Sequence, residues 1–233
     1  MIVAALLALQ APAQDIPSGG PLISQMLARY AAAQTVQGTI ITTQSARGVK
    51  VTTRTEIAIE KPAKVRIAQT RDGSQGGTWL VVSDGRMVGY PRPKGVFGKE
   101  RFTDPVQGGL EDIYTAVQNS LGEKSVPLNI VMGRKGDLMA FVGMLTPTKL
   151  GDKATLNGET VQIVNAEFRD APGRATRGPI AMAITPTGEL RRLVQKEKII
   201  IAEVKSGEIE ITTAYDVNLK LDAPIVGNPF VVQ

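Results

Sequence analysis

Glu208-Ile209-Glu210-Ile211-Thr212-Thr213-Ala214-Tyr215-Asp216-Val217-Asn218-Leu219-Lys220-Leu221 alternates with period two along its whole length. Ile209, Ile211, Thr213, Tyr215, Val217, Leu219 and Leu221 fall on one side. Glu208, Glu210, Thr212, Asp216, Asn218 and Lys220 fall on the other, the pattern of a strand buried on one face. At about 3.3 Å per residue such a strand reaches roughly 40 Å. Strand twist accumulates with length, so a sheet built from strands this long coils strongly. The stretch predicts one large, curved antiparallel sheet.

Working back from it, strands are expected over Lys149 to Leu156, Thr160 to Phe168, Pro179 to Thr185 and Leu190 to Val204. Asn157-Gly158, Pro186-Thr187-Gly188 and Ser206-Gly207 supply the turns. In the N-terminal half, Val49, Val51, Thr53, Thr55, Ile57 and Ile59 alternate with Lys50, Thr52, Arg54, Glu56, Ala58 and Glu60. Thr39 to Gln44 meets this run through Ser45-Ala46-Arg47-Gly48, a hairpin connection. Pro62 ends the second strand, and a third begins at Val65 and runs to the turn from Arg71 to Gly77. Thr78 to Val82 and Met87 to Tyr90 flank Asp84-Gly85, a strong hairpin signal. The Pro- and Gly-rich stretch from Pro91 to Gly109 reads as a loop or irregular edge.

Two segments carry helical spacing instead. Pro21 suits a first helical turn, and Leu22, Ile23, Met26, Leu27 and Tyr30 then share one face. Leu110, Ile113, Tyr114, Val117 and Leu121 form a second such face, with Glu111 and Asp112 at the positive end of the helix dipole and Gly122 as a stop. Val126 to Met132 fits a short helix or a buried strand, and periodicity does not separate the two. The order is helix, strand meander, helical insertion, strand meander. About ten or eleven strands exceed the usual sheet of about 4 to 6. The fold class expected is α+β, mainly antiparallel β: a curved sheet or incomplete barrel with helices covering its concave face.

With 233 residues, 42% hydrophobic and only 4% aromatic, the core must be filled by aliphatic side chains and Met. Met1 to Gln14 is an apolar run closed by Ala11-Pro12-Ala13, which fits a signal peptide over residues 1–13 although no Lys or Arg precedes the run. The run is too short to span a bilayer. With no Cys there is neither a disulfide framework nor a lipid-attachment cysteine, so an exported, periplasmic and soluble mature protein is expected. The net charge of +5 comes from Lys and Arg scattered among Asp and Glu, as on solvated sheet faces.

The chain has no His and no Cys. Ser/His/Asp and Cys/His nucleophile systems, histidine acid-base catalysis and His- or Cys-based zinc sites are thereby excluded. No phosphate-binding loop or oxygen-rich calcium loop is present. The basic cluster Arg191, Arg192, Lys196 and Lys198 lacks interleaved aromatics and reads as the outward side of a strand, not as a nucleic-acid platform. No catalytic residue, metal ligand or cofactor is expected, and binding is the default. Trp79, Tyr90, Phe97 and Phe102 cluster with Met87; they are either core beneath the helical insertion or an adaptable apolar mouth. The candidate ligand-contacting set is Leu27, Tyr30, Trp79, Met87, Tyr90, Phe97, Ile113 and Val117.

Several segments resemble the envelope proteins of the lipoprotein-carrier fold, the outer-membrane lipoprotein-sorting carriers and their relatives. Leu22 to Tyr30 with Val36-Gln37-Gly38 is similar to the family's opening helix and first strand. Glu60-Lys61-Pro62-Ala63-Lys64-Val65-Arg66, Val82 to Met87 around Asp84-Gly85, and Pro186 to Val194 resemble its later strand starts and hairpins. The resemblance implies a single domain of that type over residues 14–233, an incomplete antiparallel barrel with a helical lid over an apolar cavity. It also implies an exported envelope protein that binds or carries a lipid, a lipoprotein or another apolar small molecule; separately, the net charge of +5 leaves room for transient contact with an anionic membrane surface or an acidic partner. A non-catalytic interaction or sensory module on the same fold, with an envelope-protein partner, is the alternative.

Overall fold

The structure, a computed structural model, describes residues 18–73, 76–94, 98–122, 125–133, 135–167, 178–200 and 208–232. The expected signal peptide, Phe97, Phe168 and the turn at Ser206-Gly207 lie outside the described residues. Helix α1 (Gly20–Ala32) opens the chain, followed by β1 (Thr35–Ala46), β2 (Val49–Glu60), β3 (Lys64–Arg71), β4 (Gly77–Asp84), β5 (Met87–Lys94) and β6 (Gly98–Pro105). Then come α2 (Leu110–Ser120), α3 (Val126–Met132) and α4 (Lys135–Met144). A second meander follows: β7 (Lys149–Leu156), β8 (Glu159–Glu167), β9 (Pro179–Ile184), β10 (Leu190–Ile200) and β11 (Glu208–Leu221).

All eleven strands form one antiparallel sheet in the order β6-β5-β4-β3-β2-β1-β11-β10-β9-β8-β7. Each half is a simple meander, and among the described residues the only strand pairing between the halves is that of β1 with β11, from Val36/Leu221 to Ala46/Ile211. The edges β6 and β7 are not paired with one another, so the sheet is an incomplete barrel. The fourteen residues of β11 are matched by twelve each in β1 and β2, so the long strand is the spine of the molecule. The β1–β2 turn has Arg47 and Gly48 both at positive φ, 48° and 79°, as a two-residue hairpin with right-handed strand twist requires. Asn157 and Gly158 repeat that solution between β7 and β8.

Two readings need correction, one open alternative is resolved, and one helix is additional to those expected. The stretch from Pro91 to Gly109 is largely strand: β5 continues to Lys94 and pairs with β6, the sheet edge. Its prolines mislead because an edge tolerates them; the described β4–β5 register, Val82/Gly89 and Ser83/Val88, stops short of Pro91 and Pro93. Val126–Met132 is a helix, fixed by the Ser125 hydroxyl accepting from the Leu128 amide at 3.2 Å and by Gly133 in the left-handed region. Helix α4 was not foreseen, because Gly136 and Gly143 weaken its propensity and its apolar residues do not confine themselves to one stripe. Gly122 is not a left-handed stop; α2 ends at Ser120, and Leu121 after it is extended.

Candidate functional site

Alternation and register decide what each strand turns inward. On β2 the inward side chains run Ile59, Ile57, Thr55, Thr53; on β3, Val65, Ile67, Gln69, Arg71; on β1, Val36, Ile40, Thr42, Gln44. On β11 they run Leu219, Val217, Tyr215, Thr213, and on β10, Leu193, Gln195. On each of these strands the inward side chains pass from apolar to polar in the same direction, away from the α1 end of the sheet, and beyond the polar residues β2 and β11 return to apolar ones at Val51 and Ile211. The polar residues form a diagonal band across five neighbouring strands, Gln69 and Arg71, Thr55 and Thr53, Thr42, Thr213 and Gln195.

The helices close over this face. Ile23, Met26 and Tyr30 of α1, Ile113 and Val117 of α2, Leu128, Ile130 and Val131 of α3, and Phe141 of α4 are buried in one core cluster with the inward Val, Ile and Leu of the sheet. Met26, Val36, Ile40, Ile59, Ile67 and Ile113 have no exposed surface at all. A wall facing an open channel would keep area that water can touch, so at these residues the trough is filled by side chains. The expectation of a half-barrel with helices over its concave face holds for the fold, and the side chains of those helices fill it.

α1 is additionally pinned by polar contacts. Arg29 pairs with Asp222 at 2.6 Å, and Asp222 also accepts from the Gln34 amide at 2.7 Å. Lys61 Nζ donates to the Tyr30 and Ala31 carbonyls at 3.2 and 2.6 Å, capping the helix C-terminus with positive charge. Gln25 donates to the Pro186 carbonyl at 3.1 Å. Burial pushes the Tyr30 hydroxyl up to about 12, against a backbone hydrogen bond to Leu190 that pulls it down. Desolvation lowers Lys61, opposed by Asp222. α2 and α3 are joined by Gln118 donating to Asn129 at 2.7 Å.

The candidate ligand-contacting residues separate. Tyr30, Tyr90, Ile113 and Val117 come together in the core cluster, with Leu27 partly buried against it. Trp79 faces inward beside Gln69 and lies so close to the end of α2 that a Cβ on Gly122 would sit 2.5 Å from its indole. Close approach, not a turn, is therefore the reason for that glycine. Met87 is placed by alternation on the outer face with Val82 and Gly89, and does not join the trough. Tyr90 also borders a cavity of about 300 Å³ between β5, β6 and α2, where its hydroxyl donates to Asp104 and where Asp112 and Asn119 complete a polar lining.

A larger groove, about 420 Å³, lies on the other side of the sheet. Lys149, Asn165, Ala181 and Val194 are register neighbours across β7 to β10 on the outer face, and Glu167, Pro179 and Lys196 form the next row. The basic cluster sits beside it, but not wholly outward. Arg191 occupies a bulge between Leu190 and Arg192, is only 18% exposed and is clamped by Glu159 and Glu189. Arg192 and Lys196 are exposed and pair with Asp216 and Glu210. Among the described residues no group of His, Cys, Asp and Glu is arranged to hold a metal ion, and no helix is long and apolar enough to cross a membrane.

No family model matches the chain, and no curated protein matches it. Solved structures do. LppX, a lipoprotein of Mycobacterium tuberculosis, is similar over 88% of this chain and 96% of its own, at 13% identity and a TM-score of 0.46. A chain of the Pseudomonas aeruginosa MucA/MucB complex is similar over 92% of this chain and 60% of its own, at 13% identity and 0.46. A LolA superfamily protein from Nitrosomonas europaea is similar over 93% and 98%, at 11% identity and 0.36. All three share 11–13% identity with this chain, at TM-scores of 0.36 to 0.46.

Proposed function

We propose that this is an exported envelope protein that binds an apolar ligand between the concave face of the sheet and its helical cover. The observation that supports this is the construction of the trough. An open-edged sheet buries much of its inward face under α1 and a separate helical insertion, α2 to α4, whose buried side chains are apolar apart from Ser120. In such an arrangement an acyl chain can replace the cover's side chains at little cost, because both are hydrocarbon. The ligand enters by displacing the cover, since the closed trough has no gap at its central residues.

Trp79 is the one tryptophan of the chain and touches the end of α2, so it reports on the position of the cover. Titration with cis-parinaric acid should give a saturable change in Trp79 emission, and organic extracts of natively purified protein should contain reproducible acyl species by mass spectrometry. A flat titration together with clean extracts would end the carrier reading. That outcome would favour the second reading, a protein-interaction module, which the solvent-facing groove on β7 to β10 supports by offering a surface outside the core.

A further inference from the structure

We propose that the diagonal polar band across β3, β2, β1, β11 and β10 is a head-group subsite, and that the ligand is an amphiphile with an anionic head. This rests on the carrier reading and deepens it. Four buried side-chain atoms among the described residues have no hydrogen-bond partner: Thr53 Oγ1, Arg71 Nε, Gln195 Oε1 and Ser120 Oγ. Three of them belong to the band, and the fourth ends helix α2, the piece of cover that reaches the same end of the trough. Thr53 has no exposed surface and Gln195 is 8% exposed.

Orphaned polar atoms in a protein interior are costly and uncommon, and here they are not scattered. Arg71 and Thr53 are direct register partners, and Thr53 is in turn the partner of Thr42. Gln195 is the partner of Thr213. Gln69 is satisfied by donating to Thr55 at 3.2 Å, and Gln195 donates through Nε2 to Glu197 at 2.9 Å, which leaves its carbonyl oxygen without a partner. Arg71 is the cation of the band, at the end remote from Glu197, so an anionic group there gains a charge-assisted contact. Below the band the same strands present Ile57, Ile59, Val65, Ile67, Val36, Ile40, Val217 and Leu219, hydrocarbon suited to a tail. Between the band and α1 the trough thus has an amphiphile's own polarity, head at the band and tail toward α1.

The test compares cis-parinaric acid with its uncharged methyl ester on the intact chain, reading probe fluorescence. The wild-type protein should bind the acid about tenfold or more tightly than the ester. Arg71→Gln should abolish that preference while leaving ester binding unchanged. Thr53→Val removes an orphaned hydroxyl and nearly preserves shape, so it should fold at least as stably as wild type while weakening the acid. Equal affinity for acid and ester in the wild type, or an acid preference that survives Arg71→Gln, overturns the subsite but leaves the carrier reading intact. Binding of neither probe overturns the subsite and, together with clean organic extracts, the carrier reading as well.

Discussion

Asp222 shows how much one exposed carboxylate can organise. It follows the last residue of β11, sits at positive φ, and joins the end of the sheet to α1 through Arg29 and to the start of β1 through the Gln34 amide. The Arg29 hydrogen bond, reinforced by the Gln34 amide, holds its carboxyl below the usual range. A folded value below the unfolded value of about 3.9 means that the stabilisation is present above that value and is lost as pH falls below it. Asp222→Asn should therefore lower the melting temperature at neutral pH and flatten its fall between about pH 5 and 3. An acid limb as steep as that of wild type would show that the contact does not couple to folding. Arg71 and Thr53 belong to the same scale, and neither stands out in the sequence: a Thr on the inward side of a strand is ordinary, and Arg71 reads as the start of a turn. What marks them is a buried polar atom without a partner on each, Arg71 Nε and Thr53 Oγ1.

Among elements, the β1–β11 pair matters most, because it alone joins the two meanders. Gly38 lies in it at φ 140°, and a Cβ there would stand 2.1 Å from the Asn218 carbonyl oxygen. Gly38→Ala should cost about 3 kcal/mol or more, from strain and from a backbone contact that cannot be relieved by rotamer change. The fall in urea midpoint at unchanged slope would measure it. Strands with clean alternation, β2 and β11 above all, were legible residue by residue, as was the face of α1. β6 and α4 were not. β6 is a strand because it pairs with β5, and α4 is a helix because Phe141 is buried against the core while Leu138 and Val142 pack on it; neither cause is local.

For the molecule as a whole, the contrast is between a continuous hydrogen-bonded sheet and helices held to it through buried apolar side chains. If the cover lifts to admit a ligand, it does so as a partial opening below the free energy of global unfolding. Native-state hydrogen exchange should find the amides of α2 and α3 exchanging through smaller openings than those of β1 and β11. Exchange of α2 and α3 only by global unfolding would remove the entry route and, with it, the lid. The expectation of a curved sheet covered by helices survives at this scale. The residues expected to contact a ligand divide at this scale: Met87 turns to the outer face, while Tyr30, Tyr90, Ile113 and Val117 are core.

The sequence by itself determined which residues of each long strand share a face, where the tight turns fall, and that histidine and cysteine chemistry is absent. Period-two patterning and left-handed turn residues act within a few positions, so they can be read without a partner strand. Tertiary structure alone decided that the two meanders join through β1 and β11, that the trough is filled, and that seven polar side chains from five strands line up as one band. Those facts depend on register between strands far apart in the chain. A shift of one residue in any pairing would turn that strand's polar side chains outward to water, and nothing in the strand's own sequence records the register it finally takes.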